Sequence, residues 1–184
     1  MTLPQVKEKF LFRAVKEEEI LTELKKNATG LDNLPPGLLK DAAGVIAKPL
    51  TFIINLSLET GVVPTEWKMA KVIPNIKSGS MAEIDNYRPI SILPTLPKIL
   101  EKMVHKQLMK HLEFNGFLSE HQFGFRPNRS TELAVTLFTD LIRKEADGGK
   151  ATGAIFIDLS KAFDTISHSV LLENCLAMEY RIMN

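Results

Sequence analysis

The chain has 184 residues, of which 45% are hydrophobic and 24% are charged, and its formal net charge is +1. This composition supports a folded hydrophobic core and excludes a disordered or fibrous protein. No apolar run is long enough to span a membrane, and the charged start lacks the apolar segment of a signal peptide. The sequence therefore predicts an intracellular protein, in the nucleus or the cytoplasm, without a membrane partner.

Cysteine and histidine usage narrows the possible chemistry. Cys175 is the only cysteine, so an internal disulfide is excluded, and the histidines lack the paired spacing of a zinc site. We expect Cys175 to be a core thiol. The net charge does not indicate nucleic-acid binding, but the middle of the chain is locally basic. Its basic residues are Lys68, Lys71, Lys77, Arg88, Lys98, Lys102, Lys106, Lys110, Arg126 and Arg129.

The first section of the chain is predicted to be helical. Apolar residues recur at helical spacing over residues 15–26, and Asp41 can cap a second helix over residues 42–60 that ends at Gly61. A loop rich in glycine and proline separates these helices. Nothing in this spacing demands catalytic chemistry.

Two extended arms follow, over residues 69–77 and 87–92, joined by a polar turn at Ser78-Gly79-Ser80. Pro74 and Pro89 favour edge or irregular strands, because proline cannot donate a hydrogen bond to a sheet. The arms are therefore predicted to form a loose hairpin.

Helices dominate the remainder. Thr95 can cap a helix over residues 98–114, Ser130 or Thr131 can cap another that ends near residue 146, and a last helix starts near Ser169. Between the last two, the apolar, β-prone residues 154–157 predict a buried strand that ends at Asp158. This order predicts a helix-rich α/β (α+β) chain whose sheet lacks strands.

Asp158 is the first candidate for chemistry. A single carboxylate at the end of a buried strand is typical of a metal site or an acid/base site. Aspartate after a strand is equally common as a turn residue or a helix cap. The residues alone leave both interpretations open.

The block Phe156-Ile157-Asp158-Leu159-Ser160-Lys161-Ala162-Phe163-Asp164 resembles the first catalytic motif of reverse transcriptases, most closely that of non-LTR (LINE or jockey-like) retrotransposons. Residues 67–79 and 86–94 are similar to the fingers signature of the same family. Residues 122–131 resemble its template-path block, and residues 28–35 resemble the segment ahead of the fingers. The resemblance covers most of the chain.

The resemblance implies a helical N-terminal extension at residues 1–68 and a partial reverse transcriptase domain at residues 69–184, with polymerase fingers and an incomplete palm. It implies that Asp158 is catalytic and binds Mg²⁺. The residues that it assigns to the incoming dNTP are Lys77, Arg88, Leu159, Ser160, Lys161, Ala162 and Phe163. The residues that it assigns to the template are Gly124, Phe125, Arg126 and Arg129.

The chemistry of these side chains fits the implied roles, but each residue also has an ordinary structural interpretation. Lys77 and Arg88 could neutralise a triphosphate, but either could also be a solvated surface cation. Phe163 matches the family's bulky ring against a ribose 2′ hydroxyl, and it could also be a core residue. The turn at Gly124 would let a sugar-phosphate strand approach Phe125, or it could simply bury that ring.

The implied function is extension of a DNA primer on an RNA template with dNTPs and two Mg²⁺ ions. Two-metal polymerisation requires several carboxylates, and the family supplies the others from an Asp-Asp pair that this sequence does not contain. We therefore expect the chain as written to be inactive alone, with apolar strand surface exposed. The alternative is a non-catalytic remnant or a domesticated nucleic-acid-binding module. Three ordered blocks argue against a plain globular domain.

Overall fold

A computed structural model describes residues 9–26, 36–159 and 162–177 of the chain. These residues form five α-helices and one antiparallel sheet of two strands, a mixture of helix and sheet that agrees with the predicted class. The helices are α1 (Glu17–Lys25), α2 (Pro36–Thr60), α3 (Thr95–Phe114), α4 (Thr131–Asp147) and α5 (His168–Ala177), and the strands are β1 (Lys71–Ile76) and β2 (Tyr87–Ile92). Short 3₁₀ turns lie at Thr65–Lys68 and Ile84–Asn86.

The described residues divide into two compact units. The first unit consists of residues 9–26 and 36–111, with α1, α2, both strands and most of α3. The second consists of residues 112–159 and 162–177, with α4 and α5. None of the helices in these ranges combines the length and the apolar character that crossing a bilayer requires.

The hydrophobic core belongs to the first unit and lies between α1, α2 and α3. Each helix contributes side chains spaced three or four residues apart, so that one face of each helix is buried. The most enclosed members are Ile20 and Leu24 from α1, Ala47 and Ile54 from α2, and Ile99 and Met103 from α3. The core of the first unit is therefore formed mainly by helices.

The start of α2 corrects one prediction. The helix begins at Pro36 rather than after Asp41, so Asp41 lies inside the helix and does not cap it. Proline favours a first helical turn because its φ is preset and its missing N–H would have had no partner there. The predicted end is confirmed, since Gly61 has a φ of 71° and its N–H donates to the carbonyl of Ser57.

The predicted hairpin is confirmed, and its register explains its two prolines. Asn75 pairs with Arg88 and Pro74 pairs with Pro89, and the Lys77 N–H donates to the Asn86 carbonyl at 2.7 Å. Hydrogen-bonded pairs alternate along an antiparallel ladder, so Lys77 with Asn86 and Asn75 with Arg88 are hydrogen-bonded pairs. Pro74 and Pro89 therefore face each other at a position where neither N–H would join the ladder.

In the second unit, two helix predictions are confirmed and the prediction about Cys175 is wrong. The Ser130 hydroxyl accepts from the Leu133 N–H at 3.2 Å, which confirms the cap of α4. The final helix begins at His168, close to the expected start. Cys175 is only partly buried, so the prediction of a core thiol was wrong. The physical reason is that no described apolar side chain beyond residue 111 is fully buried.

The predicted strand before Asp158 is absent, because residues 151–159 have no regular secondary structure. The Ile155, Phe156 and Ile157 side chains are 91%, 85% and 83% exposed. An extended segment becomes a strand only when a neighbour accepts and donates its backbone hydrogen bonds, and no described strand flanks this one. The expected exposure of apolar surface is confirmed, while the buried strand is not.

Candidate functional site

The hairpin brings Lys77 and Arg88 to the same face. Arg88 pairs with Asn75, and Lys77 continues the same ladder opposite Asn86. Side chains alternate between faces along a strand, so positions 75 and 77 share a face with positions 86 and 88. Lys77 and Arg88 are diagonal neighbours, a relationship that separates two residues by roughly 7–8 Å.

Both cations are exposed. Within residues 9–26, 36–159 and 162–177, no carboxylate forms an ion pair with either of them. A lysine and an arginine that are near each other and not neutralised create a local positive potential. The hairpin therefore presents a two-cation surface with the charge that a polyphosphate requires.

The loop between the strands is held by side chains next to Arg88. The Asn86 Nδ2 atom donates to the Ser80 carbonyl at 2.9 Å and to Glu83 Oε2 at 3.2 Å. The Tyr87 hydroxyl donates to the Met81 carbonyl at 2.9 Å. In the sequence Asn86-Tyr87-Arg88-Pro89, the first two residues hold the loop and Arg88 supplies the positive charge. Pro89 occupies a position whose N–H is not needed for the hydrogen bonds between the strands.

Asp158 is exposed and lies within residues 151–159, which have no regular secondary structure. The described part of the chain contains no group of three or more histidine, cysteine, aspartate or glutamate side chains that could hold a metal ion. Asp158 could therefore offer a metal one carboxylate, but a complete metal site is not formed by the described residues.

A phenylalanine on each side of Asp158 contacts another aromatic ring. Phe156 packs edge-on against Phe138 of α4, with 5.9 Å between the ring centroids. Phe163 packs in the same way against Phe125, at 6.0 Å. Leu159 and Ala162 are exposed, and Ser160 and Lys161 lie outside the described residues. The structure thus joins one ring assigned to the nucleotide and one assigned to the template.

The turn around Gly124 differs from a simple glycine turn with a buried ring. Phe125 is 86% exposed and has a φ of 58°, in the left-handed region. A bulky residue in that region is strained, and such strain is found preferentially at binding and catalytic sites. A Cβ atom on Gly124 would meet nothing within 4 Å. The local fold therefore does not require glycine there, and the space above it is open.

The two arginines of this turn are partly engaged with the protein. Arg126 Nη1 donates to the Ser119 carbonyl at 2.7 Å, and its side chain is only 14% exposed. The Arg129 guanidinium lies 5.5 Å from the centroid of the Phe123 ring, a cation–π contact. Arg126 therefore stabilises the turn, while Arg129 is half-buried and oriented by an aromatic face.

Sequence reasoning missed the anchoring role of Asn86 and Tyr87. An available signal was the position of Asn86 at the end of a polar loop, because asparagine side chains commonly bind nearby backbone groups in turns. The tyrosine contact had no comparable signal, since Tyr87 is the first residue of β2 and its partner Met81 lies six residues earlier in the chain.

Comparison with known proteins identifies the family. Residues 75–183 match the family described as reverse transcriptase (RNA-dependent DNA polymerase). The match spans more than half of the chain, so the chain belongs to the reverse transcriptase family. This confirms the resemblance that the three sequence blocks indicated.

Several relatives are proteins of transposable elements. The chain is 33% identical over 165 residues to the probable RNA-directed DNA polymerase from transposon BS of Drosophila melanogaster, an alignment that covers 87% of this chain and 18% of that protein. It is 32% identical over 143 residues to the RNA-directed DNA polymerase from mobile element jockey of the same species, covering 77% and 15%. It is 30% identical over 171 residues to a Pol polyprotein of retrotransposable element R2 from Popillia japonica, covering 91% and 22%. The chain spans less than a quarter of the length of each of these relatives.

Proposed function

We propose that this chain supplies the fingers and the first catalytic carboxylate of an RNA-directed DNA polymerase, which extends a DNA primer on an RNA template using dNTPs. The observation that carries the proposal is the shared face of Lys77 and Arg88 on the hairpin. Under this proposal, residues 1–68 are a helical extension and residues 69–184 belong to the polymerase domain.

Lys77 and Arg88 are the proposed contacts of the incoming triphosphate. Arginine offers a planar fork that binds two phosphate oxygens at once, whereas lysine acts as a compact point charge. Together they would neutralise part of the charge that develops on the leaving pyrophosphate. Their exposure and the absence of ion pairs among the described residues leave both available to a ligand.

Phe163 is proposed to lie beneath the sugar of the same nucleotide, with Leu159, Ser160, Lys161 and Ala162 contributing backbone contacts. The 74% exposure of the Phe163 ring is consistent with a surface that meets a ligand. A bulky ring there would obstruct a ribose 2′ hydroxyl and favour deoxynucleotides.

Gly124, Phe125, Arg126 and Arg129 are proposed to line the template path. An exposed aromatic ring can stack on any base, and an arginine nearby adds attraction to the phosphates. Phe125 has a strained backbone, and its ring lies on the surface. Arg126 would act mainly by holding the turn, because its guanidinium already binds Ser119.

Asp158 is the proposed ligand of Mg²⁺, which, when bound, would neutralise phosphate charge and make the primer hydroxyl more acidic. One carboxylate binds magnesium weakly, so other carboxylates must complete the site in an active enzyme. The catalytic part of the proposal therefore concerns the longer polymerase and not the 184-residue chain alone.

Binding and activity test the proposal separately. The purified chain should bind an RNA–DNA primer-template roughly tenfold more weakly at about 200 mM than at about 50 mM salt, as expected for a few phosphate contacts. Salt-independent binding would contradict the template role. Lys40→Ala/Lys48→Ala on α2 is a control for general charge effects.

Activity requires a chimera in which this chain replaces the aligned segment of the jockey polymerase. RNA-templated primer extension should be abolished by Asp158→Ala, and Lys77→Ala/Arg88→Ala should raise KM for dNTPs more than Lys40→Ala/Lys48→Ala does. Extension that survives Asp158→Ala would overturn the proposed catalytic role. The 184-residue chain alone should give no extension.

A further inference from the structure

We propose that Asn86 is a positioning residue, which fixes the loop between β1 and β2 and thereby holds Lys77 and Arg88 at the spacing that a triphosphate requires. The inference rests on the proposed function, because it assigns a purpose to the same two cations. Asn86 itself is not proposed to touch the ligand.

Asn86 ties the loop together at several points. Its carbonyl accepts from the Lys77 N–H at 2.7 Å, and its own N–H donates to the Glu83 carbonyl at 3.2 Å. Its side-chain amide reaches back to the Ser80 carbonyl and to the Glu83 carboxylate. A single residue therefore connects the first cation, the middle of the loop and the strand that carries the second cation.

Gly79 is shaped to accommodate this amide. The loop backbone at Gly79 has a φ of 88°, and a Cβ atom placed there would lie 2.6 Å from Asn86 Nδ2. Both the left-handed backbone and the close approach exclude an ordinary side chain. Gly79 and Asn86 are thus a matched pair in which the glycine makes room for the amide.

The Asn86 contacts should reduce the conformational entropy that the loop loses when a ligand binds. Lys77 directly precedes the loop, and Arg88 lies two residues beyond Asn86. If the loop moved freely, binding a polyphosphate across both side chains would also require ordering the segment that joins them. The Asn86 contacts order that segment before the ligand arrives, so the benefit applies only to ligands that engage both cations.

Inorganic tripolyphosphate and inorganic phosphate are the two probes, each titrated into the 184-residue chain by calorimetry. Asn86→Ala should weaken tripolyphosphate binding about 5- to 10-fold, the loss expected for one or two hydrogen bonds, while phosphate binding stays unchanged. A phosphate ion needs only one cation at a time, so it is insensitive to their spacing. Ser91→Ala, an exposed residue on the opposite face of β2, is the matched control.

The Gly79–Asn86 pair gives an independent readout. Gly79→Ala should also weaken tripolyphosphate binding, and Gly79→Ala/Asn86→Ala should be no weaker than the worse single variant. Such non-additivity is expected of two residues that act through one contact. Amide exchange at Ile73 and Ile90 must remain slow in every variant, which shows that the ladder is intact.

The outcomes separate this inference from the proposed function. If Arg88→Ala weakens tripolyphosphate binding and Asn86→Ala does not, the positioning role is wrong and the triphosphate site stands. Equal losses for both probes, or loss of ladder protection in Asn86→Ala and Gly79→Ala, would make Asn86 a general structural residue and overturn the inference. If the unmodified chain and Arg88→Ala bind tripolyphosphate equally, the triphosphate site fails and this inference fails with it.

Discussion

The side-chain amide of Asn55 in α2 makes two hydrogen bonds with the backbone of Val15, accepting from its N–H at 2.7 Å and donating to its carbonyl at 3.0 Å. Gln107 of α3 repeats the arrangement with Arg13, accepting from the N–H at 2.8 Å and donating to the carbonyl at 3.2 Å. Each amide bonds to both backbone groups of one residue, as a neighbouring strand would, so the two side chains fix Arg13 and Val15 just ahead of α1.

Asn55→Leu should lower the free energy of unfolding by about 2–3 kcal/mol, because both backbone groups of Val15 lose their partner in a part-buried location. Urea denaturation followed by circular dichroism measures the change. Asn55→Asp keeps the acceptor but loses the donor, so its free energy of unfolding should lie between those of the unmodified chain and Asn55→Leu. A loss below about 0.5 kcal/mol in Asn55→Leu would show that the contacts are dispensable.

Glu23 is expected to be the most costly carboxylate to remove. Its side chain is 3% exposed and lies 2.6 Å from Lys102 Nζ and 2.7 Å from Lys106 Nζ. Burial raises the pKa of Glu23, but hydrogen bonds from Lys102 and Lys106 outweigh it, so the pKa is lowered and the carboxylate is charged. Glu23→Gln leaves two adjacent lysines without their anion.

We expect Glu23→Gln to destabilise the chain by about 2–3 kcal/mol, somewhat less than for a fully buried pair because both lysines are half-exposed. Glu101→Gln, on the exposed side of α3, is the control and should change stability by less than about 0.5 kcal/mol. The same urea series measures both variants, and similar losses would refute a special role for Glu23.

Glu19 should make stability depend on acid pH. The Arg13 hydrogen bond, with help from the Lys16 N–H, lowers the pKa of Glu19 from 4.5 to about 2. A lowered folded-state pKa contributes stability above about pH 4.5 that is lost as the pH falls through about 2. The contribution is about 1 kcal/mol after allowance for solvent screening of the exposed Arg13.

The measurement is the difference in unfolding free energy between the unmodified chain and Glu19→Gln. That difference should be constant from neutral pH down to about pH 4.5 and should shrink toward zero at about pH 2. Glu17→Gln is the control, because Glu17 is an exposed residue in the same first helical turn. A difference for Glu19→Gln that grows on acidification would contradict the assignment.

Replacing Phe125 with glycine should maintain or raise the free energy of unfolding but weaken nucleic-acid binding. Phe125→Gly removes an exposed ring and relieves a φ of 58°, so the free energy of unfolding should stay equal or rise by up to about 1 kcal/mol. Phe125→Ala keeps the backbone strain and should be about 1 kcal/mol less stable than Phe125→Gly. Thermal unfolding distinguishes the two variants.

Both Phe125 variants should bind a single-stranded oligouridine about tenfold more weakly, the loss expected for one stacked base. Fluorescence anisotropy with a labelled oligonucleotide measures the affinity. Phe52→Ala is the control, because Phe52 is an exposed phenylalanine of α2 outside the proposed template path. Undiminished binding by Phe125→Gly would remove Phe125 from the template path.

Local signals in the sequence were sufficient where the structure depends on local chemistry. Ser130 caps α4 and Gly61 ends α2 because a hydroxyl and a left-handed glycine satisfy helix ends without distant partners. The hairpin was predictable for the same reason. Pro74, Pro89 and the Ser78-Gly79-Ser80 turn restrict it from within.

Features that depend on distant partners were not predictable from periodicity. The run before Asp158 has strand propensity, but a strand also requires neighbours, and none lies among the described residues. Asn55 and Gln107 look like ordinary polar residues of amphipathic helices, and only the fold shows that they bind the segment before α1. The contact between Phe125 and Phe163 likewise depends on the tertiary structure, because the two residues are far apart in the sequence.

The paired prolines of the hairpin make a shift in strand register energetically costly. In the observed register, Pro74 and Pro89 both occupy positions outside the ladder of hydrogen bonds. If one strand slipped by a single residue, one of the two prolines would have to enter that ladder without an N–H to donate. The same slip would move Lys77 and Arg88 to opposite sides of the sheet. Pro74 and Pro89, which carry no charge, thus help to fix the register that places Lys77 and Arg88 on one face.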